Sequence, residues 1–134
     1  MNKIIWILQV VAALAFAGSG AMKLFTPGEA LRANPQMGWS QEFSDGAIKA
    51  IGGAEVAGAI GLVAPAATGI LPVLTPLAGT GLALLMGGAA LTHIGRGESP
   101  VAPLILGTLA LTAGWLRWRR RRGATRVSAT ASAA

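Results

Sequence analysis

Cysteine is absent from the 134-residue chain. That absence excludes disulfide exchange by the protein itself, and with it the cysteine-dependent four-helix membrane thiol oxidases. Cys-ligated zinc and iron–sulfur clusters are excluded on the same ground. Histidine occurs once, so one chain cannot hold a bis-histidine haem. Charge is scarce as well: 12% of residues are charged, against roughly 25% in an ordinary soluble domain. Six of those charges are arginines between Arg117 and Arg126, which leaves the body of the chain poorer still. A small soluble domain has a high surface-to-volume ratio and needs polar groups over most of that surface. This chain cannot supply them. An ordinary soluble enzyme, a disordered chain and a disulfide-built secreted domain are thereby excluded.

Apolar length is what the sequence has in quantity, with 53% hydrophobic residues, 19 glycines and a mean hydropathy of +0.59. A bilayer core of about 30 Å takes about 20 helical residues. Four runs approach that length, at about residues 4–22, 47–64, 73–94 and 101–118. They are continuous rather than alternating, which predicts helices and not a barrel. The expected fold is all-α, a polytopic four-helix membrane bundle over residues 1–122, with a disordered small-residue tail at 123–134. Lys3, the first apolar run and Ala17-Gly18-Ser19 also imitate a secretory signal peptide. The run is long for one, and its removal would leave three spans with a mismatched charge pattern. Pro27, Pro35 and mixed charges mark a polar loop between the first two spans, with a short interfacial helix expected around Gly28–Ala33.

An even number of spans puts both termini on one side, together with Lys3, Arg117, Arg119, Arg120, Arg121, Arg122 and Arg126. The other side holds Lys23, Arg32, Lys49 and Arg96, partly balanced by acids in the loops. The positive-inside bias therefore predicts cytoplasmic termini in a multi-pass protein of the cell's cytoplasmic (inner) membrane. Arg117 and Arg119–Arg122 read as a topology anchor beside the last span, attractive to anionic lipid headgroups rather than to nucleic acid.

Helices in lipid associate by close packing, so small residues four apart are candidate contact rows. Ala13, Ala17 and Ala21 form one on the first span. Gly53, Ala57 and Gly61, beside Ala50, Ala54 and Gly58, form two on the second, and Gly79, Ala83 and Gly87 form one on the third.

Glu55 is the most informative residue, because a carboxylate within a span costs a few kcal/mol unless it has company. Lys23 closes the first span and His93 the third, on the side where Glu55 lies. Three spans thus bring an acid, an ammonium and an imidazole towards one outward pocket, edged by Thr92, Lys49 and Trp39. Such a group has several uses. It can be an ion pair that fixes helix register, or a polar pocket for a headgroup such as a quinone carbonyl, with Lys and His donating. It can also be a proton path through Glu55 and His93. One His and one Glu on separate helices are too few for a metal site, so no metal is expected. No residue is assigned a catalytic role.

The segments GSGAMKLF at 18–25, MGW at 37–39, GGAEVAGAIGLVAP at 52–65 and GTGLALLMGGAALTH at 79–93, with the Arg-rich end, resemble the DoxX-like family of small membrane proteins. The resemblance covers residues 4–118 and places the family's Lys, Glu and His on Lys23, Glu55 and His93. Where the family carries Pro after the loop's Gly-aromatic pair, this chain has Ser40. The resemblance implies a four-helix membrane protein whose wider relatives are tied to quinone-linked oxidoreductases, as a subunit of a terminal quinol oxidase or of thiosulfate:quinone oxidoreductase. A distant vertebrate relative is a chaperone for receptor assembly. The leading expectation is a non-catalytic accessory or assembly subunit of a membrane complex, with a quinone-linked redox complex and a homo-oligomer as the candidate assemblies. A quinone- or lipid-headgroup-binding oxidoreductase component and a small proton-coupled transporter are the alternatives.

Overall fold

The computed structural model describes residues 2–132. Its elements are α1 (Asn2–Phe25), α2 (Gly28–Ala33), a 3-10 segment (Pro35–Glu42), α3 (Asp45–Thr68), α4 (Leu74–Gly95) and α5 (Val101–Ser132). α1, α3, α4 and α5 are each long and apolar enough to cross a membrane. They pack in a ring, α1 on α3, α3 on α4, α4 on α5 and α5 back on α1. Phe16, Ala59, Leu62, Leu82, Met86 and Ala110 fill its centre.

The span boundaries follow local chemistry. α3 opens at Ser44, whose hydroxyl accepts from the Ala47 N–H at 3.2 Å, and its first turn carries Asp45, where a negative charge suits the helix dipole. The helix runs past the expected residue 64, through Pro65, to Thr68, and Gly69 closes it with its N–H on the Pro65 carbonyl. Gly69 takes a φ of 75°, a left-handed conformation open to glycine at no steric cost. The expected interfacial helix is present as α2, and the kinked 3-10 segment that follows was not expected.

α5 differs most from expectation. It continues as helix through Gly123 to Ser132, where a disordered tail was expected from residue 123. No proline follows Pro103, and arginine and alanine are good helix formers. Residues 133 and 134 of that tail lie outside the described residues. At 1.5 Å per residue the 32-residue helix is about 48 Å long, well beyond the hydrocarbon thickness, so its arginine-rich end projects from the bundle.

Candidate functional site

Two glycines set the site's geometry. A Cβ on Gly20 would lie 2.6 Å from the Gly52 carbonyl oxygen, and one on Gly52 would lie 2.8 Å from that of Gly20. The backbones of α1 and α3 therefore touch at this level. Lys23 and Glu55 stand one turn further along their helices, on the same buried faces. The Lys23 Nζ donates to both carboxylate oxygens of Glu55, at 3.0 and 2.9 Å, and to the Ser19 hydroxyl at 2.5 Å. Glu55 is 2% exposed. Lys23 also lies 5.4 Å from the centre of the Trp39 ring, within cation–π range.

Beside this pair lies a cavity of about 480 Å³, the size of a small-molecule site. All four spans and the 3-10 segment wall it. Lys23, Glu55, Trp39, Thr92 and His93, the polar group expected from the sequence, all line it. Leu85, Ile51 and Leu106 give it an apolar body. Phe43 meets Trp39 edge to face, with ring centres 6.2 Å apart.

The structure gives His93 a different partner from Glu55. α4 ends with Gly97 at a φ of 70°, the Gly97 N–H bonded to the Ile94 carbonyl and the Glu98 N–H to that of His93. This Schellman turn folds residue 98 back on residue 93. The His93 Nδ1 then meets the Glu98 carboxylate at 2.8 Å. A carboxylate only accepts, so Nδ1 carries the proton. Arg96 donates to Glu98 at 2.9 Å and to Glu42 at 2.8 Å, tying the turn to the 3-10 segment that carries Trp39. The Arg96 hydrogen bond holds the Glu98 carboxyl below its ordinary range; partial burial opposes this and His93 reinforces it. Glu98 likewise raises Arg96. Lys49 does not line the cavity: its Nζ donates to the Leu24 and Thr26 carbonyls at 2.5 and 2.9 Å, closing the end of α1.

The candidate packing residues divide. Gly58 and Gly61 face α4, where added Cβ atoms would lie 2.5 Å from Leu82 and 2.8 Å from Ala78. Gly79 faces α5, with the Ala110 carbonyl oxygen 2.5 Å from its Cβ position. Ala17 packs at the edge of the core. Gly53 and Gly87 have open space instead. On helices this rich in glycine, rows of small residues occur on several faces, and spacing alone does not choose the contact face.

Arg117 also departs from its expected role. Arg119–Arg122 sit on the accessible end of α5, and Arg122 stacks on Trp118 at 4.7 Å. Arg117 is buried. Its Nε donates to the Gln9 side-chain oxygen at 2.7 Å, its Nη2 to the same oxygen and its Nη1 to Asn2 at 3.2 Å. Its guanidinium lies 4.4 Å from the Trp6 ring centre. Gln9 in turn donates to the Leu62 carbonyl at 2.5 Å. This second buried polar cluster joins α1, α3 and α5 at the end opposite the cavity. Its signal was a lone Gln early in the first span and an Arg late in the last, at one end of an up-and-down bundle.

The model of the DoxX-like family matches residues 7–115, most of the chain and every residue of the Lys23–Glu55–His93 group. The chain belongs to the DoxX-like family. No curated protein and no solved structure matches it. The match to the DoxX-like family stops short of Arg117 and the arginines after it, and takes in Gln9.

Proposed function

We propose that this DoxX-like protein binds the polar head of a small amphiphile in the cavity beside Glu55, as a non-catalytic membrane component. The observation that carries the reading is the cavity's make-up: an apolar chamber of about 480 Å³ with a buried ion pair, an imidazole and an indole in its wall. A pair meant only to fix register needs no such chamber beside it. Glu55 lies ten residues beyond the start of α3, about 15 Å along the helix at 1.5 Å per residue, at a depth where lipid-soluble molecules are the available ligands. A quinone-type or lipid headgroup fits in size. A buried Lys–Glu pair orients such a head without supplying a reaction of its own.

Membership of a larger membrane complex is the second reading. Gly81 and Gly95 on α4 are exposed, and each has open space at its Cβ position. Small outward residues let another helix approach closely. The seven basic residues at the end holding both termini support cytoplasmic termini in the inner membrane.

Filling the cavity tests the first reading. Ala89 lines it on α4, and Ala89→Trp places an indole inside while leaving Lys23 and Glu55 in place. Protein drawn from native membranes should carry a bound amphiphile by native mass spectrometry, and the Ala89→Trp protein should have lost it. Equal retention in both would defeat the reading.

A further inference from the structure

The ion pair engages the charged donor of the cavity and leaves lone pairs of its charged acceptor free. An ammonium has three protons, and Lys23 has three acceptors around it: the Ser19 hydroxyl and both Glu55 oxygens. The ammonium is thus directed at Ser19 and Glu55 rather than at a ligand. The Glu55 carboxylate has about four lone-pair sites and accepts at one on each oxygen from Lys23. The Thr92 hydroxyl donates to the Gly88 carbonyl at 3.1 Å, so its oxygen is left as an acceptor. His93 spends its Nδ1 proton on Glu98. In the neutral ring the nitrogen left for a ligand, Nε2, is then an acceptor too.

Two neutral donors stand against these, the Ser19 hydroxyl and the Trp39 indole N–H. They are outweighed, because hydrogen bonds to an ionised group are roughly twice as strong as neutral ones. A head that only accepts, such as an ether or a ketone, would strip water from the free lone pairs of Glu55 and give nothing back, and unmet buried acceptors are costly. Charged heads fare no better. A cation would meet the Lys23 ammonium about 3 Å from the carboxylate it sought, and an anion would meet Glu55.

We propose that the cavity selects amphiphiles whose neutral head donates a hydrogen bond, a hydroxyl or phenol, over heads of the same shape that can only accept. This rests on the binding reading above and gives it a ligand class. Among redox pairs of one skeleton, it favours the hydroxylated, reduced member over the carbonyl form. A hydroxyl satisfies both sides of the site, since it donates to Glu55 and accepts from Ser19 or Trp39.

The test compares para-nonylphenol with its methyl ether on the full chain in lipid nanodiscs; the two share ring and tail and differ in the donor. The phenol should bind about tenfold tighter or more, the size of one hydrogen bond to a charged group expressed as a Kd ratio. Removing both charges together, with Lys23→Met and Glu55→Leu, should bring the ratio towards unity. The comparison in the native chain stands even if that variant fails to fold. Equal affinity for phenol and ether, or tighter binding of the ether, would overturn the selectivity while leaving a binding cavity. Binding of neither would overturn the selectivity and the binding reading together.

Discussion

At the scale of single residues, a buried charge requires a partner of opposite sign. Lys23 and Glu55 are buried together, so removing one leaves the other an uncompensated buried charge. Glu55→Ala should cost about 3 kcal/mol or more, whereas Lys23→Met with Glu55→Leu should come close to the native chain. Unfolding in mild detergent reads the difference, and equal losses in the two would mean the pair is already solvated. Glu98 makes a prediction about pH. Its folded-state pKa lies below the ordinary 4.5, so its ties to Arg96 and His93 contribute fully above that value. They weaken as pH falls from there through the lowered folded value. Acidification below about pH 4.5 should therefore loosen the 3-10 segment, seen as a change in Trp39 emission that Glu98→Gln abolishes. A transition near neutrality that survives Glu98→Gln would assign the change to another group.

At the scale of helices, contact is decided by which glycine meets which backbone. Gly58→Leu would drive a side chain into Leu82, whose nearest atom already lies 2.5 Å from the Cβ position. Overpacking of this kind costs about 1–3 kcal/mol. Gly53→Leu, five residues earlier and with open space before it, should leave stability within about 0.5 kcal/mol. Thermal unfolding of both proteins checks the contrast, and a reversed order would move the α3–α4 interface to the other face. The spans are legible in the sequence because about 20 consecutive apolar residues match the thickness of a bilayer and suit little else. Their ends were legible only in part: α3 runs on to Thr68 through Pro65, and α5 to Ser132. The Lys23–Glu55 pair was legible because a carboxylate in an apolar run demands a cation, and few were in reach. The Gly20–Gly52 crossing that joins them was not, since each helix offers several small faces. The His93–Glu98 bond depends on a Schellman turn at Gly97, whose side-chain consequence no periodicity expresses.

At the scale of the whole molecule, charge is divided between the two ends. All five acids, Glu29, Glu42, Asp45, Glu55 and Glu98, lie towards the end where the cavity sits, and the opposite end carries seven basic residues and no acid. The lack of cysteine makes the orientation easy to read, because an introduced thiol is the single reactive one. Ser99→Cys in the α4–α5 turn should react with an impermeant maleimide on intact spheroplasts, and Ser128→Cys near the end of α5 only after the membrane is opened. The reverse pattern would invert the protein and place the cavity on the cytoplasmic side. Gln9 and Arg117 close the bundle at one end, while towards the other the four spans and the 3-10 segment line the chamber beside Glu55. The most direct measurement of the central claim is an experimental map of the full chain purified from its own membranes in lipid nanodiscs. It should contain non-protein density in the chamber, with a head against Glu55 and His93 and an apolar body along Leu85 and Leu106. A chamber collapsed on its own side chains, with Glu55 turned to lipid or open water, would contradict it.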